Sequence, residues 1–241
     1  MTPTVSILLY HEIGPSPRVS ANLDCFCAFR QFFEQMHFLK ASGVSVRAGA
    51  EVYDALCRGE RLPSNTVVVT FDDGDTSFLE YALPVLEELS FPSTVFAVAG
   101  QLGRAAGWVR DPRNAVPLMA AQQLRALPTA LVDIGSHSMT HRKLTDLPAD
   151  QALAELRDSK HLLEDLLDKP VTSFAYPHGR YDAETVELVT LAGYHYAYTT
   201  DGQRDLDADK DRFQIPRKYV TYADSLDTFA AKLGFQRPSV S

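Results

Sequence analysis

Two adjacent carboxylates, Asp72 and Asp73, end an apolar run in the segment Thr70-Phe71-Asp72-Asp73-Gly74. Taking a carboxylate out of water is costly unless a cation or hydrogen-bond donors meet it. Neighbouring strand side chains point to opposite faces, so both acids reach one cavity only if the chain turns at Gly74. One of them can then hold a metal while the other stays free as a base. The same pair could instead cap a following helix. A second cluster, Gly135-Ser136-His137-Ser138-Met139-Thr140-His141, carries imidazoles at i and i+4. On a helical turn they face the same way and can reach one ion. With Asp73 they form a set of two histidines and a carboxylate. Such a set suits Zn²⁺, Fe²⁺, Co²⁺ or Ni²⁺ and leaves positions open for water and substrate. A third segment, Phe174-Ala175-Tyr176-Pro177-His178-Gly179, contains a Pro-X-Gly turn that can turn a backbone N–H toward an oxyanion.

Short apolar runs alternate with longer amphipathic segments around these groups. Strands are expected over 5–10, 66–71, 93–99, 131–135, 173–176, 195–199 and 213–220. Helices are expected over 29–41, 51–58, 77–89, 120–126, 150–167, 183–192 and 226–233, with Pro84 kinking or restarting the third and Gly43 ending the first. The stretch 100–117 reads as a Gly/Arg-rich loop holding the only tryptophan, Trp108, and the tail after Gly234 is expected to fray. Strands alternating with helices predict a parallel sheet, either a barrel or an open doubly wound sheet. His11, the Asp72-Asp73 pair, His137 and Pro177-His178-Gly179 each follow an expected strand. Polar residues gathered at strand ends are what the active face of an α/β barrel requires.

Composition narrows the partners. The 241 residues are 45% hydrophobic and 22% charged, as expected of one globular domain spanning 1–241. The net charge of −8 and the lack of a Lys/Arg-rich run argue against nucleic acid. Three cysteines, Cys25, Cys27 and Cys57, do not form a disulfide framework and read as ordinary thiols. No apolar stretch is long enough to span a bilayer, and the first residues lack the marks of an export signal, so a cytoplasmic location is expected.

The ordered set TFDDG, HSMTH and FAYPHG resembles the polysaccharide deacetylase family, which includes chitin, peptidoglycan and poly-N-acetylglucosamine deacetylases. The opening LLYHEIG and the late IPRKYV are similar to the branch linked to exopolysaccharides. The resemblance covers nearly the whole chain. It implies a distorted (β/α)₇ barrel and removal of N-acetyl groups from an N-acetylated glycan, releasing acetate. It implies Asp72 as catalytic base, and Asp73, His137 and His141 as ligands of one divalent ion, zinc first among the candidates. It also implies that the segment Tyr176-Pro177-His178 faces substrate, with the His178 backbone in the oxyanion hole. The chain departs from the family pattern in three ways, one being His178, which stands where many relatives carry a tyrosine. Ala175 stands where many relatives carry an arginine, which makes Arg217 the candidate for orienting Asp72. The Leu-X-His motif that supplies the general acid in many relatives is missing, which makes His11 the candidate acid and His178 the other. The same metal set also suits another amide or an ester, and a relative that binds glycan without catalysis is the non-enzymatic alternative.

Overall fold

The computed structural model describes residues 5–18, 21–63, 65–109, 111–202 and 212–234, so the tail after Gly234 lies outside the described residues. In chain order the elements are β1 (Val5–Tyr10), β2 (Glu12–Gly14), β3 (Phe26–Ala28), α1 (Phe29–Ala41), β4 (Ser45–Val46), α2 (Gly49–Cys57) and β5 (Thr66–Phe71). There follow a π-helical turn (Phe78–Ala82), α3 (Leu83–Leu89), β6 (Ser93–Ala97), α4 (Ala121–Arg125), β7 (Val132–Ser136) and α5 (Ala149–Leu167). The chain continues with β8 (Ser173–Ala175), α6 (Ala183–Leu191), β9 (Tyr196–Tyr198), β10 (Lys218–Tyr219) and α7 (Leu226–Lys232).

Every pairing between these strands is parallel, and the main sheet runs β10-β1-β5-β6-β7-β8-β9, with β4 sharing the edge of β5 that β6 uses further along. The sheet curls onto itself through one segment. Ile215 bridges Tyr198 of β9, and three residues later Lys218 pairs with Leu8 of β1. The single domain is therefore a distorted (β/α)₇ barrel with helices outside. The last strand was expected over 213–220 but keeps only two ladder residues, because Pro216 has no N–H to give the ladder. The short strands β2, β3 and β4 were not expected. At two or three residues they are too brief to show a period, and only their partners make them strands.

Alternation along each strand divides the interior. Ile7, Val68, Phe96, Ala175, Tyr196, Tyr198 and Ile215 form an inner cluster within the barrel. Leu8, Val67, Val69, Phe71, Val95, Ile134 and Phe174 turn outward into a larger cluster under the helices. Full burial of each such side chain contributes about 1.5–3 kcal/mol. The helix α2 packs Val52 and Ala55 on the inner cluster, and Tyr53 stacks on Tyr196 at the start of β9, so this helix covers the end where strands begin. The long helix α5 buries Ala152, Leu156, Ser159 and Leu163 at helical spacing, with Leu153 and Leu166 flanking this stripe. Pro84 sits inside one continuous helical run over 77–89, and the π turn Phe78–Ala82 directly before α3 accommodates its missing N–H.

Candidate active site

Strand periodicity carries past the strand ends. On β1, Ile7 faces inward, so His11 does too; on β5, Val68 faces inward, so Thr70 and Asp72 follow. Asp73 would then face outward, but the chain turns. The Gly74 N–H donates to the Asp72 carbonyl at 2.9 Å, closing a three-residue turn with Asp73 at φ 68° and Gly74 at φ 72°. This unfavourable backbone swings the second carboxylate back to the cavity. A left-handed non-glycine residue costs on the order of 1–3 kcal/mol, so the surroundings must hold it there.

Asp72 and Arg217 form a fully buried, two-pronged ion pair. Nη1 and Nη2 donate to Oδ1 and Oδ2, each at 2.7 Å, and Arg217 is 0% exposed. The guanidinium also donates to the Thr199 carbonyl at 3.0 Å and the Thr70 hydroxyl at 3.2 Å, and it lies over the rings of Phe96 and Tyr198. Burial on its own would raise the Asp72 pKa. The charge of Arg217 and its two hydrogen bonds outweigh it and hold the carboxyl below its usual range. Asp72 is thus an ionised, oriented carboxylate at neutral pH.

His137 follows β7. Its N–H completes the sheet to the Ala97 carbonyl, and its Nδ1 donates to the Ala175 carbonyl at 2.8 Å. A carbonyl can only accept, so Nε2 is the nitrogen left with a lone pair. His141 does not follow on a helical turn, contrary to the spacing argument. Ser138 and His141 both adopt left-handed backbone, φ 66° and 64°, and the segment is a loop. Backbone contacts override local spacing here. Ser138 and Met139 give their carbonyls to Ala99 and Gly100, and the Ser138 hydroxyl accepts from the His141 N–H. The loop still delivers the second imidazole to the first, with ring centroids 4.9 Å apart.

The three groups meet. Asp73 Oδ1 lies 3.4 Å from His141 Nε2 and 3.6 Å from His137 Nε2, and all three ligand atoms fall within 4.8 Å of one another. Bonds of about 2.0–2.1 Å to a tetrahedral ion separate neighbouring ligand atoms by about 3.3 Å. Asp73 Oδ1 is buried without a hydrogen-bond partner in the protein. Burial, then the charges of Asp72 and Asp75, push the Asp73 carboxyl well up, while burial lowers His137 and His141 so that both are neutral. An acid raised by burial and by its acidic neighbours, facing two neutral imidazoles, fits a divalent cation.

The other expected site residues divide. His11 and His178 line the same cavity of about 420 Å³ as Asp72, Asp73, His137 and His141. His178 sits at φ 59°, as the Pro-X-Gly turn requires, and its ring lies 4.5 Å from that of His141. Tyr176 turns to the outer face and packs on Phe174 and Tyr181, fully buried, and neither it nor Pro177 lines the cavity. Side-chain contact with substrate is therefore corrected for both: Tyr176 falls on the outward phase of β8, and Pro177 is buried in the turn. His11 is held neutral, with burial lowering it to about 4 against the opposing pull of Asp72.

Four cavity or supporting residues escaped the sequence reading. Tyr219 stacks on His11, centroids 5.3 Å apart at 19°, with its hydroxyl 3.5 Å from Nε2. Its signal was present, since it lies two residues from Arg217 and shares its inward phase. Trp108 covers His141 at 4.1 Å between centroids. Cys25 lines the cavity, and burial pushes its thiol up to about 12. Glu155 bonds the loop before His141, and nothing local in the sequence announces it.

The sequence profile described as polysaccharide deacetylase matches residues 59–197. The poly-beta-1,6-N-acetyl-D-glucosamine N-deacetylase of Staphylococcus epidermidis is 26% identical over 203 residues, 80% of this chain and 67% of that one. YxkH of Bacillus subtilis, whose name places it among polysaccharide deacetylases, is 27% identical over 197 residues, 81% of this chain and 64% of that one. The chain thus spans about two thirds of these curated relatives. Among solved structures, IcaB from Ammonifex degensii superposes with TM-score 0.80 at 26% identity, covering 96% of this chain and 97% of that one. The Streptococcus pyogenes deacetylase PplD in complex with acetate gives TM-score 0.83 at 23% identity, covering 97% and 99%, a likeness of fold. With the profile spanning more than half of its length, including Asp72, Asp73, His137, His141 and His178, the chain belongs to the polysaccharide deacetylase family.

Proposed function

We propose that residues 1–241 form one metal-dependent catalytic domain that removes N-acetyl groups from an N-acetylglucosamine-containing glycan. The observation that carries this reading is the partnerless Asp73 oxygen facing two imidazoles, beside a second carboxylate tied to Arg217 instead. A site that only bound metal would not need the second acid. The name of the S. epidermidis relative favours an N-acetylglucosamine polymer.

Asp73, His137 and His141 would hold the ion, with zinc first among candidates. A bound divalent ion supplies Lewis acidity and an acidified water. Asp72 takes the water proton, oriented by Arg217. The acetyl carbonyl faces the backbone at His178, which steadies negative charge as it develops. His11 delivers a proton to the departing amine, with Tyr219 fixing its ring. Because His11 is neutral at rest, the proton it delivers is the one Asp72 takes from water, passed on as charge building on the substrate favours the imidazolium, so that Asp72 and His11 both return to their starting states. Bonds broken and formed then balance: water adds, and acetate and a free amino sugar leave.

The test pairs metal analysis with acetate release from N-acetylglucosamine oligomers. Asp72→Asn is expected to lose about 10²–10⁴-fold in kcat with metal content unchanged. His11→Ala should lose turnover on the amide but little on an activated acetate ester, whose leaving group needs no proton. Wild-type-like kcat in Asp72→Asn rules out the base. Acetate released only from O-acetyl sugars moves the chain to the esterases.

A further inference from the structure

His137 and His141 reach the same cavity by different means. His137 is placed by the sheet, through its N–H on Ala97 and its ring on Ala175. His141 has no strand beneath it. Its position depends on the loop 138–141, with left-handed backbone at Ser138 and His141. Such a loop needs outside contacts to persist.

One of these contacts comes from α5. The Met139 and Thr140 N–H groups both donate to Oε2 of Glu155, at 3.0 and 2.8 Å, and the Thr140 hydroxyl donates to Oε1 at 2.5 Å. Successive N–H groups converging on one anionic oxygen make an anion-binding nest, here filled by the protein's own carboxylate. Bonds to a charged acceptor are about twice as strong as neutral ones. The other contacts take the loop's carbonyls: Ser138 C=O accepts from Ala99 and Met139 C=O from Gly100. Glu155 takes N–H groups that those contacts leave over. It lies in the second turn of a helix whose Ala152, Leu156 and Leu163 are buried in the outer core, so the carboxylate is presented from a fixed support.

We infer that Glu155 is a positioning residue for the metal: its carboxylate holds the loop that carries His141 to the ion, without touching the ion or the substrate. Groups that orient a ligand from behind typically change metal affinity by about 10–100-fold when removed. The inference rests on the metal reading given above, and its test separates the two.

Zn²⁺ affinity is measured by chelator competition on the full chain, with no turnover involved. Glu155→Gln keeps an acceptor but loses the charge, and is expected to weaken Kd about 10-fold. Glu155→Ala should approach about 100-fold, and Thr140→Val, which removes one bond, only severalfold. The deciding comparison is made without the ligand. In a His141→Ala background, Glu155→Gln should leave Kd unchanged within about twofold, because the group it positions is gone. A Glu155→Gln Kd equal to wild type overturns the inference. So does an equal loss in the His141→Ala background, which would mark general weakening of the fold. Should Glu155→Ala not fold, Glu155→Gln and Thr140→Val decide the matter. A wild-type chain that binds no Zn²⁺ overturns the metal reading, and this inference with it.

Discussion

The turn after β5 and the loop after β7 both leave buried strands, and both place polar groups in one cavity, yet they are held in different ways. The β5 turn is short and held by charge. Asp72 keeps the inward phase of its strand and meets Arg217, and one left-handed residue later Asp73 is already in place. The β7 loop is longer and held by peptide hydrogen bonds. His137 keeps the strand phase, but His141 arrives only after three further residues whose backbone is tied to Ala99, Gly100 and Glu155. A strand controls the direction of a side chain for about one residue beyond its end. Past that, contacts from elsewhere in the fold take over.

The largest expected effect tests the charge side of this contrast. Arg217→Met leaves Asp72 ionised and buried without a partner, and should destabilise the fold by about 3–5 kcal/mol in urea unfolding. Adding Asp72→Asn should recover much of that loss, as a coupled pair requires. Additive losses would mean that Arg217 acts by packing alone.

Asp75 sharpens the comparison through pH. It is 4% exposed, and burial pushes its carboxyl up to about 7 although bonds from Ser77 oppose this. In metal-stripped protein the folded chain therefore keeps a proton, above the unfolded value of about 3.9, that the unfolded chain releases. Stability contributed by this site falls as pH rises from about 4 to 7, by on the order of 3–4 kcal/mol in total. Asp75→Asn still accepts from the Ser77 N–H at 2.8 Å and should flatten that slope. Unfolding curves at both ends of the window check this, and an unchanged slope would remove the β5 turn's dependence on burial.

The smallest effect probes backbone geometry. Gly74 sits at φ 72°, and an added Cβ would lie 3.3 Å from Ala97 Cα. Gly74→Ala is expected to cost about 1–2 kcal/mol, seen as a lower Tm. A neutral result would show that the turn can relax, and that Asp73 is less tightly held than its φ implies.

How much was legible follows the same division. The strand 66–71 and the helix 29–41 agree with the structure at both ends, because long runs display their period and carry their own stop signals. Cavity-facing His11, Asp72 and His137 follow from strand ends. The i,i+4 spacing of His137 and His141 correctly paired them but suggested a helical turn that does not form. Tyr176 was grouped with its motif neighbours, although strand phase sends it outward. Glu155 was invisible, since its partners lie 15 and 16 residues earlier, off any helical or strand period.

Order, periodicity and residue type, read along the chain, were enough for a parallel α/β fold with polar strand ends, and the ordered motifs TFDDG, HSMTH and FAYPHG carried the resemblance to a deacetylase family. That information is local, since a strand of six residues states its own two faces. Tertiary structure alone decided that Ile215 and Lys218 close the barrel and that Glu155 supports the His141 loop, and it gave the candidate Arg217, 145 residues from Asp72, its two-pronged grip on that carboxylate. These contacts join segments whose meeting depends on the packing of the whole chain, and no local preference encodes them.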